Sequence, residues 1–291
     1  MIEENVPLAR HTTIGTGGSA RWFARPETVD ELQEALRFAR AQGVAAEVVG
    51  LGSNVLVHDD GVDALVLRLA GELAAAEVDG TELVAGGGAA NAVCLHRARA
   101  AGLGGLEFAS AIPGTAGGGV RMNAGAYGRE WRDVLVDALV VDADGSRTVP
   151  VSELGLAYRR SALRPGEVVA RVRFRLEPSS PEGVKARVAE LLAKRKATQP
   201  TNKRTFGSVF KNPSAELGAG RAIEACGLKG HRLGGALISP RHANFIENAG
   251  GATSADCLAL MAEARRRVHE QFGVELEHEV QFLGPLELPP L

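Results

Sequence analysis

Gly50-Leu51-Gly52-Ser53-Asn54-Val55-Leu56-Val57 is the stretch on which the reading of this chain turns. It follows the apolar run Ala46-Glu47-Val48-Val49, so a short strand enters a loop of small residues and a second strand leaves it. Such a loop can offer successive backbone N–H groups to a pyrophosphate without a lysine. A second loop of the same character is Ile112-Pro113-Gly114-Thr115-Ala116-Gly117-Gly118-Gly119, followed by Asn123-Ala124-Gly125-Ala126-Tyr127-Gly128. Its small side chains would let a flat ring system lie against the backbone. Glycine accounts for 36 of 291 residues, well above the usual share of about 7%. It gathers at Gly15 to Gly18, Gly50 to Gly52, Gly86 to Gly88 and Gly114 to Gly119. Neither Gly-x-Gly-x-x-Gly nor a Walker A lysine motif is present, so a Rossmann or P-loop site is unsupported.

Outward from these loops the chain alternates helix and strand. Thr28-Val29-Asp30-Glu31 has the spacing of a capping box, and Val29, Leu32 and Leu36 follow at helical intervals before Gly43. A further helix is expected from about Ala90 to Ala101, and strands at Val134 to Val136, Leu139 to Val141 and Val168 to Phe174. Glu177-Pro178-Ser179-Ser180-Pro181 reads as a linker whose end caps a helix carrying Val184, Val188, Leu191 and Leu192. A last long helix from Ser254 to Phe272 places Leu258, Met261, Val268 and Phe272 on one face, and Gly273 stops it. Val274 to Phe282 alternates as a strand should.

Composition narrows the class. Hydrophobic residues make up 45% and charged residues 23%, with a net charge of -2. That balance fits a soluble globular protein and gives no reason to expect nucleic acid or an anionic membrane as partner. No apolar run approaches the roughly 20 residues that cross a bilayer, and the acidic start Met1-Ile2-Glu3-Glu4-Asn5 is unlike a signal peptide. Cys94, Cys226 and Cys257 are too few and too scattered for a disulfide framework or a zinc site, so a reducing cytoplasm and no metal are expected.

Together, Gly50-x-Gly52-Ser53-Asn54-x-Leu56-Val57, Ile112-Pro113-Gly114-Thr115-x-Gly117-Gly118 and Asn123-Ala124-Gly125-Ala126-Tyr127-Gly128 resemble the UDP-N-acetylenolpyruvoylglucosamine reductase (MurB) family, within the wider vanillyl-alcohol-oxidase-like FAD-binding group. Tyr158-Arg159-x-Ser161, Gly207-Ser208-Val209-Phe210-Lys211-Asn212-Pro213 and Leu276-Glu277-x-Glu279-Val280 extend the resemblance over nearly the whole chain. It implies an α+β fold: an FAD-binding subdomain over residues 1–67 rejoined by a C-terminal strand in 274–291, a second over 68–178, and a smaller substrate-binding α+β domain over 186–273. It also implies non-covalent FAD, NADPH as co-substrate, a UDP-sugar enolpyruvyl ether as substrate, and a monomeric enzyme of peptidoglycan precursor synthesis.

The same resemblance assigns residues. FAD would be held by Gly50, Leu51, Gly52, Ser53, Asn54, Val55, Leu56, Ile112, Pro113, Gly114, Thr115, Gly117, Gly118, Asn123, Ala124 and Gly125. Arg159 would stabilise negative charge beside the substrate carboxylate, Ser208 would protonate carbon, and Glu279 would polarise the carboxylate region. Strand alternation alone leaves Glu277 and Glu279 equivalent. Tyr158, Lys211, Asn212, Arg195, Gln199 and His242 are candidate substrate contacts, His242 equally a structural residue. The interval from Ser161 to Gly207 is too short for the insertion, with its closing tyrosine, that some members carry, which places the chain in the shorter class. Two other readings share the glycine loops: an FAD oxidase of the wider fold, which needs no Ser208, and a non-enzymatic binder, which needs no Arg159, Ser208 and Glu279 together.

Overall fold

A computed structural model describes residues 2–291 and divides them into two units. The first holds Trp22–Leu51, Ala64–Arg195 and the start of the chain through Glu4. The second holds Asn5–Arg21, Gly52–Asp63 and Lys196–Leu291.

The first unit is built on a five-stranded antiparallel sheet in the order Ser146–Pro150, Leu135–Val141, Val168–Arg175, Glu82–Gly86, Ala76–Asp79. The two runs expected at Val134 to Val136 and Leu139 to Val141 are one strand, with register shifts at Leu135/Asp137 and Leu139/Val140. Along Val168–Arg175, Val169, Val172 and Phe174 enter one core and Val168 and Ala170 another, because the register shift between Val169 and Arg171 exchanges the faces that alternate residues take. Trp131 is fully buried in the first of these cores, its ring stacked 4.9 Å from that of Phe174. The second core is closed by the helix Val29–Ala41, which buries Leu32, Ala35, Leu36 and Ala39. Thr28 caps that helix by accepting from Glu31 N–H, but Glu31 reaches back to Glu27 N–H, one residue before the position a capping box uses. Glu177–Pro178, expected as a linker, is paired antiparallel to Leu103–Gly104. The helix Pro181–Thr198 follows and buries Val184 and Leu191.

The second unit carries a four-stranded antiparallel sheet, ordered Thr205–Ser208, Phe245–Asn248, Ala236–Ile238, Arg232–Leu233. Helix Ser254–Phe272 buries Cys257, Leu260, Met261, Ala264 and Val268. Of the expected face, Met261 and Val268 are fully buried and Leu258 is half-buried against the same core, while Phe272, in the last turn, is exposed. Thr253 and Asp256 form a full capping box at its start, and Gly273 ends it in the left-handed conformation at φ 65°. The strand expected over Val274 to Phe282 is shorter: Gln281–Leu283 pairs in parallel with Val55–Val57, and His278 makes one bridge to Phe210. The residues between spend their backbone groups on a loop instead of a ladder. Among the described residues no helix is long and apolar enough to cross a membrane.

Candidate active site

In the first unit the glycine loops meet one another. Gly117 N–H donates to Gly87 carbonyl at 2.8 Å, and Gly87 N–H donates to Ala170 carbonyl at 2.8 Å. A Cβ on Gly87 would fall 1.8 Å from Val169 carbonyl, and one on Gly119 would fall 2.0 Å from Trp131 Nε1. These glycines are therefore consumed by packing inside the protein, more than the flat-ring reading of the sequence requires. Gly50 closes the cluster, since a Cβ there would lie 2.7 Å from Thr115 Oγ1. Gly118 differs: it is exposed, and its N–H donates to no described residue. The N–H groups of Gly50 and Leu51 are likewise without an acceptor among the described residues. Three backbone donors beside a wall of small residues suit a phosphorylated, flat group such as FAD.

Sequence reasoning missed the residue that braces this loop. Asn91, only 2% exposed, donates from its N–H to Gly114 carbonyl and from Nδ2 to Ile112 carbonyl, both at 3.0 Å. The available signal was an asparagine at the first turn of a helix, where polar side chains serve nearby backbone.

Tyr158 and Arg159 form the tip of a two-residue turn closed by Ala157 and Arg160, whose main chains exchange hydrogen bonds of 3.0 and 3.2 Å. Arg159 sits at φ 56°, a conformation costing an L-residue about 1–2 kcal/mol. Its guanidinium lies 4.8 Å above the Tyr158 ring, and Nη2 donates to Gly125 carbonyl at 2.9 Å. Asn123, fully buried at φ 38°, donates from Nδ2 to Ala157 carbonyl at 3.1 Å and to Glu130 Oε2 at 2.9 Å. Its Oδ1 accepts from Arg132 N–H at 3.1 Å. Both donors of this amide are thus used within the protein. Arg195, half-buried on the helix Pro181–Thr198, belongs to the same unit. Burial lowers its pKa, against the opposing influence of Tyr127, whose hydroxyl donates to Leu191 carbonyl at 3.0 Å.

The second unit holds Ser208, Lys211, Asn212, His242 and Glu279, with Gln199. Ser208 ends its strand after Gly207, which turns at φ 81°. The Ser208 hydroxyl is half-buried and bonds to no described residue. Beyond it the chain is gripped from both sides. Val209 N–H donates to Asn244 carbonyl at 2.9 Å, and Glu279 N–H donates to Val209 carbonyl at 2.8 Å. The buried Asn244 side chain accepts from Phe210 N–H at 2.9 Å and donates to Phe210 carbonyl at 2.8 Å. Ser208 and Glu279 are thereby brought onto neighbouring strands of chain. Lys211 N–H donates to Glu277 carbonyl at 2.9 Å, and its ammonium pairs with the Glu277 carboxylate. Both Glu277 and Glu279 are tied to this segment through their main chains, and the Glu277 carboxylate also holds the lysine.

The remaining candidates are partly structural. Asn212 Oδ1 accepts from Ala219 N–H at 3.1 Å, at the start of the helix Ala219–Ala225. His242 Nδ1 accepts from Asn244 N–H at 3.2 Å, and its ring packs edge-on against Phe245. Burial, then the nearby Lys229, holds His242 below the usual histidine pKa and so neutral near pH 7.

Two family models match the chain. One, described as an FAD binding domain, covers residues 20–149, and the other, the C-terminal domain of UDP-N-acetylenolpyruvoylglucosamine reductase, covers residues 199–283. A UDP-N-acetylenolpyruvoylglucosamine reductase of Anaeromyxobacter dehalogenans is 48% identical over 98% of this chain and 86% of its own length. Its counterpart in Novosphingobium aromaticivorans is 44% identical over 97% and 95%. The solved structure of the Thermus caldophilus enzyme superimposes with a TM-score of 0.85 at 39% identity, covering 97% of this chain and all of the other.

Proposed function

The chain belongs to the UDP-N-acetylenolpyruvoylglucosamine reductase family, and from that premise we propose that it reduces the enolpyruvyl ether of UDP-N-acetylglucosamine to UDP-N-acetylmuramate with electrons from NADPH. The class of enzyme, an FAD-dependent oxidoreductase acting on UDP-N-acetylenolpyruvoylglucosamine, follows from the membership itself. The donor, the residues and the order of events are the proposal. One observation carries it: the Ser208 hydroxyl, with no hydrogen-bond partner among the described residues, is held beside Glu279 by the bond from Glu279 N–H to Val209 carbonyl. An oxidase acting on an alcohol has no use for that pairing.

FAD, when bound, supplies the hydride that adds to the terminal vinyl carbon. The N–H groups of Gly50, Leu51 and Gly118 are the donors suited to its phosphates and ring. Every other requirement falls on side chains. Hydride addition leaves negative charge on the carbon next to the carboxylate, delocalised onto its oxygens. Preorganised positive charge is the natural stabiliser there, and Arg159, fixed by Gly125 and Tyr158, can grip a carboxylate with two parallel N–H donors. Ser208 then gives its hydroxyl proton to that carbon. A serine is a weak acid, but it is fully protonated at neutral pH and the carbanion is strongly basic. Glu279 shapes the field around the carboxylate. Tyr158, Arg195, Gln199, Lys211 and Asn212 are the proposed contacts to sugar and pyrophosphate.

The test is an anaerobic spectrum of the purified protein. It should be yellow, bleach with NADPH, and recover colour when the enolpyruvyl UDP-sugar is added. In Ser208→Ala the bleaching should persist while recovery slows by roughly 10²–10⁴. Recovery at the unaltered rate would remove Ser208 from the reaction.

A further inference from the structure

We propose that Asn123 is a positioning residue for Arg159, acting through the turn that carries it; the inference rests on the role given to Arg159 above. Placed by resemblance among the cofactor contacts, Asn123 has no exposed surface and both Nδ2 donors engaged, one on Ala157 carbonyl and one on Glu130. Its Oδ1 accepts from Arg132 N–H, and Arg132 in turn donates from Nε to Glu130 Oε2 at 2.7 Å. The amide is therefore aimed by a carboxylate and a main-chain donor at one external target, the Ala157 carbonyl. That carbonyl belongs to the closing pair of the turn Ala157-Tyr158-Arg159-Arg160, where it also accepts from Arg160 N–H at 3.2 Å.

The turn needs such an anchor because Arg159 occupies the left-handed region at φ 56°. An arginine left to itself abandons that conformation. Two of the bonds that hold the turn come from the neighbouring segment. From the side chain, Arg159 Nη2 donates to Gly125 carbonyl; from the backbone, Asn123 holds Ala157. Both anchors come from one short segment, Asn123 to Gly125, in which Asn123 itself is held at φ 38°. A guanidinium that must meet developing charge within a fraction of an ångström is set by this segment, and a misplacement of about 1 Å can cost roughly 10²-fold in rate.

The experiment compares Asn123→Ala, Arg159→Ala and the double variant as FAD-loaded proteins. Two half-reactions are followed, flavin bleaching by NADPH and recovery with the enolpyruvyl UDP-sugar. In Asn123→Ala recovery should slow by roughly 10², and by a larger factor than bleaching does. Added to Arg159→Ala, the change should cost nothing further, because the residue it acts through is gone. Recovery at the unaltered rate, or full additivity in the double variant, overturns the inference. A crystal structure of Asn123→Ala supplies a readout independent of turnover. Arg159 should have left the left-handed region, and a turn unchanged in φ and in its bond to Gly125 overturns the proposal. If the unaltered protein fails to recover colour with the UDP-sugar, the functional reading falls, while the crystal structure still decides what Asn123 holds. Should Asn123→Ala not fold, Asn123→Gly carries the same measurements without the backbone penalty. Failure of both to fold overturns the inference, since Asn123 would then serve the whole unit.

Discussion

The side-chain amide of Asn54 donates to the main-chain carbonyl of Glu279 at 3.2 Å, and Asn54 carbonyl accepts from Gln281 N–H at 2.9 Å. A residue of the glycine loop thus holds the backbone of the proposed active-site carboxylate from both sides of its own peptide. The Glu279 carbonyl also accepts from Gln281 Nε2 at 2.9 Å. Asn54→Ala removes one of these two side-chain donors and leaves the main-chain pairing intact. The expected loss of stability is about 1 kcal/mol, read from denaturant titration. Colour recovery with the UDP-sugar should slow by roughly tenfold while the flavin stays bound. A variant that recovers at the normal rate would show that Glu279 needs no such support.

Asn244 makes a stronger case for the segment that follows Ser208. Its amide pairs with both backbone groups of Phe210, a residue 2% exposed, as a neighbouring strand would. Asn244→Ala leaves a buried N–H and a buried carbonyl without partners, each worth about 1–3 kcal/mol. The expected destabilisation is about 2–4 kcal/mol. Asn244→Asp should not rescue it, because a carboxylate cannot donate to Phe210 carbonyl. Stability of Asn244→Ala within 0.5 kcal/mol or so of the unaltered protein, the usual effect of an inert surface change, would refute the pairing.

How much of this was legible in the sequence depends on the distance between partners. The helix Ser254–Phe272 was readable because its stop signal is local: Gly273. The strand-loop-strand at Gly50 to Val57 was readable for the same reason, as small residues at fixed spacing admit few backbone paths. Arg265 was not. It is buried on the apolar face of its helix because its guanidinium donates to Leu276 and Pro289 carbonyls and to Glu275. Those acceptors lie 10 to 24 residues onward, and periodicity alone reads an arginine there as solvent-facing. Asn244 and Phe210 are 34 apart in sequence, and Asn123 and Ala157 are 34 apart as well. The motifs located the chemistry, whereas the side chains that orient it act across separations no pattern of spacing encodes. The strand expected over Val274 to Phe282 failed on the same ground: Glu277 and Glu279 bond with the loop at Val209 to Lys211 and cannot also continue a ladder.

Acid stability should depend on Glu167. Its carboxylate is buried, which raises its pKa, yet hydrogen bonds from the main chain and guanidinium of Arg164 and from Arg147 outweigh burial and hold it at about 2. The unfolded chain titrates this group near 4.5. A folded pKa below the unfolded one means the contribution is complete above about 4.5 and is lost as pH falls towards 2. The contribution is about 2–3 kcal/mol, allowing for the exposure of the two arginines. Urea titrations between pH 2.5 and 5 should show stability falling with acid in the unaltered protein. Glu167→Gln should flatten that part of the curve, and an equal slope in both proteins would exclude this carboxylate as its source.

Lys211 and Glu277 offer a test in which two substitutions move one parameter in opposite directions. The lysine side chain is mostly covered, at 17% exposed, while its partner carboxylate is 71% exposed. An ion pair with so open a partner adds little stability, about 0–1 kcal/mol. Its consequence is electrostatic: the carboxylate offsets a cation proposed to meet an anionic UDP-sugar. Lys211 is also held through its own N–H on Glu277 carbonyl, a bond that survives loss of the carboxylate. Glu277→Gln should therefore keep the lysine in place and lower KM for the UDP-sugar by a few-fold, the gain shrinking as salt is raised. Lys211→Ala should raise KM by roughly tenfold with kcat little changed, the signature of binding shared by ground and transition states. Parallel shifts in KM for the two variants would mean that Glu277 orients the lysine rather than offsetting its charge. A fall in kcat alone would place Lys211 in the chemical step.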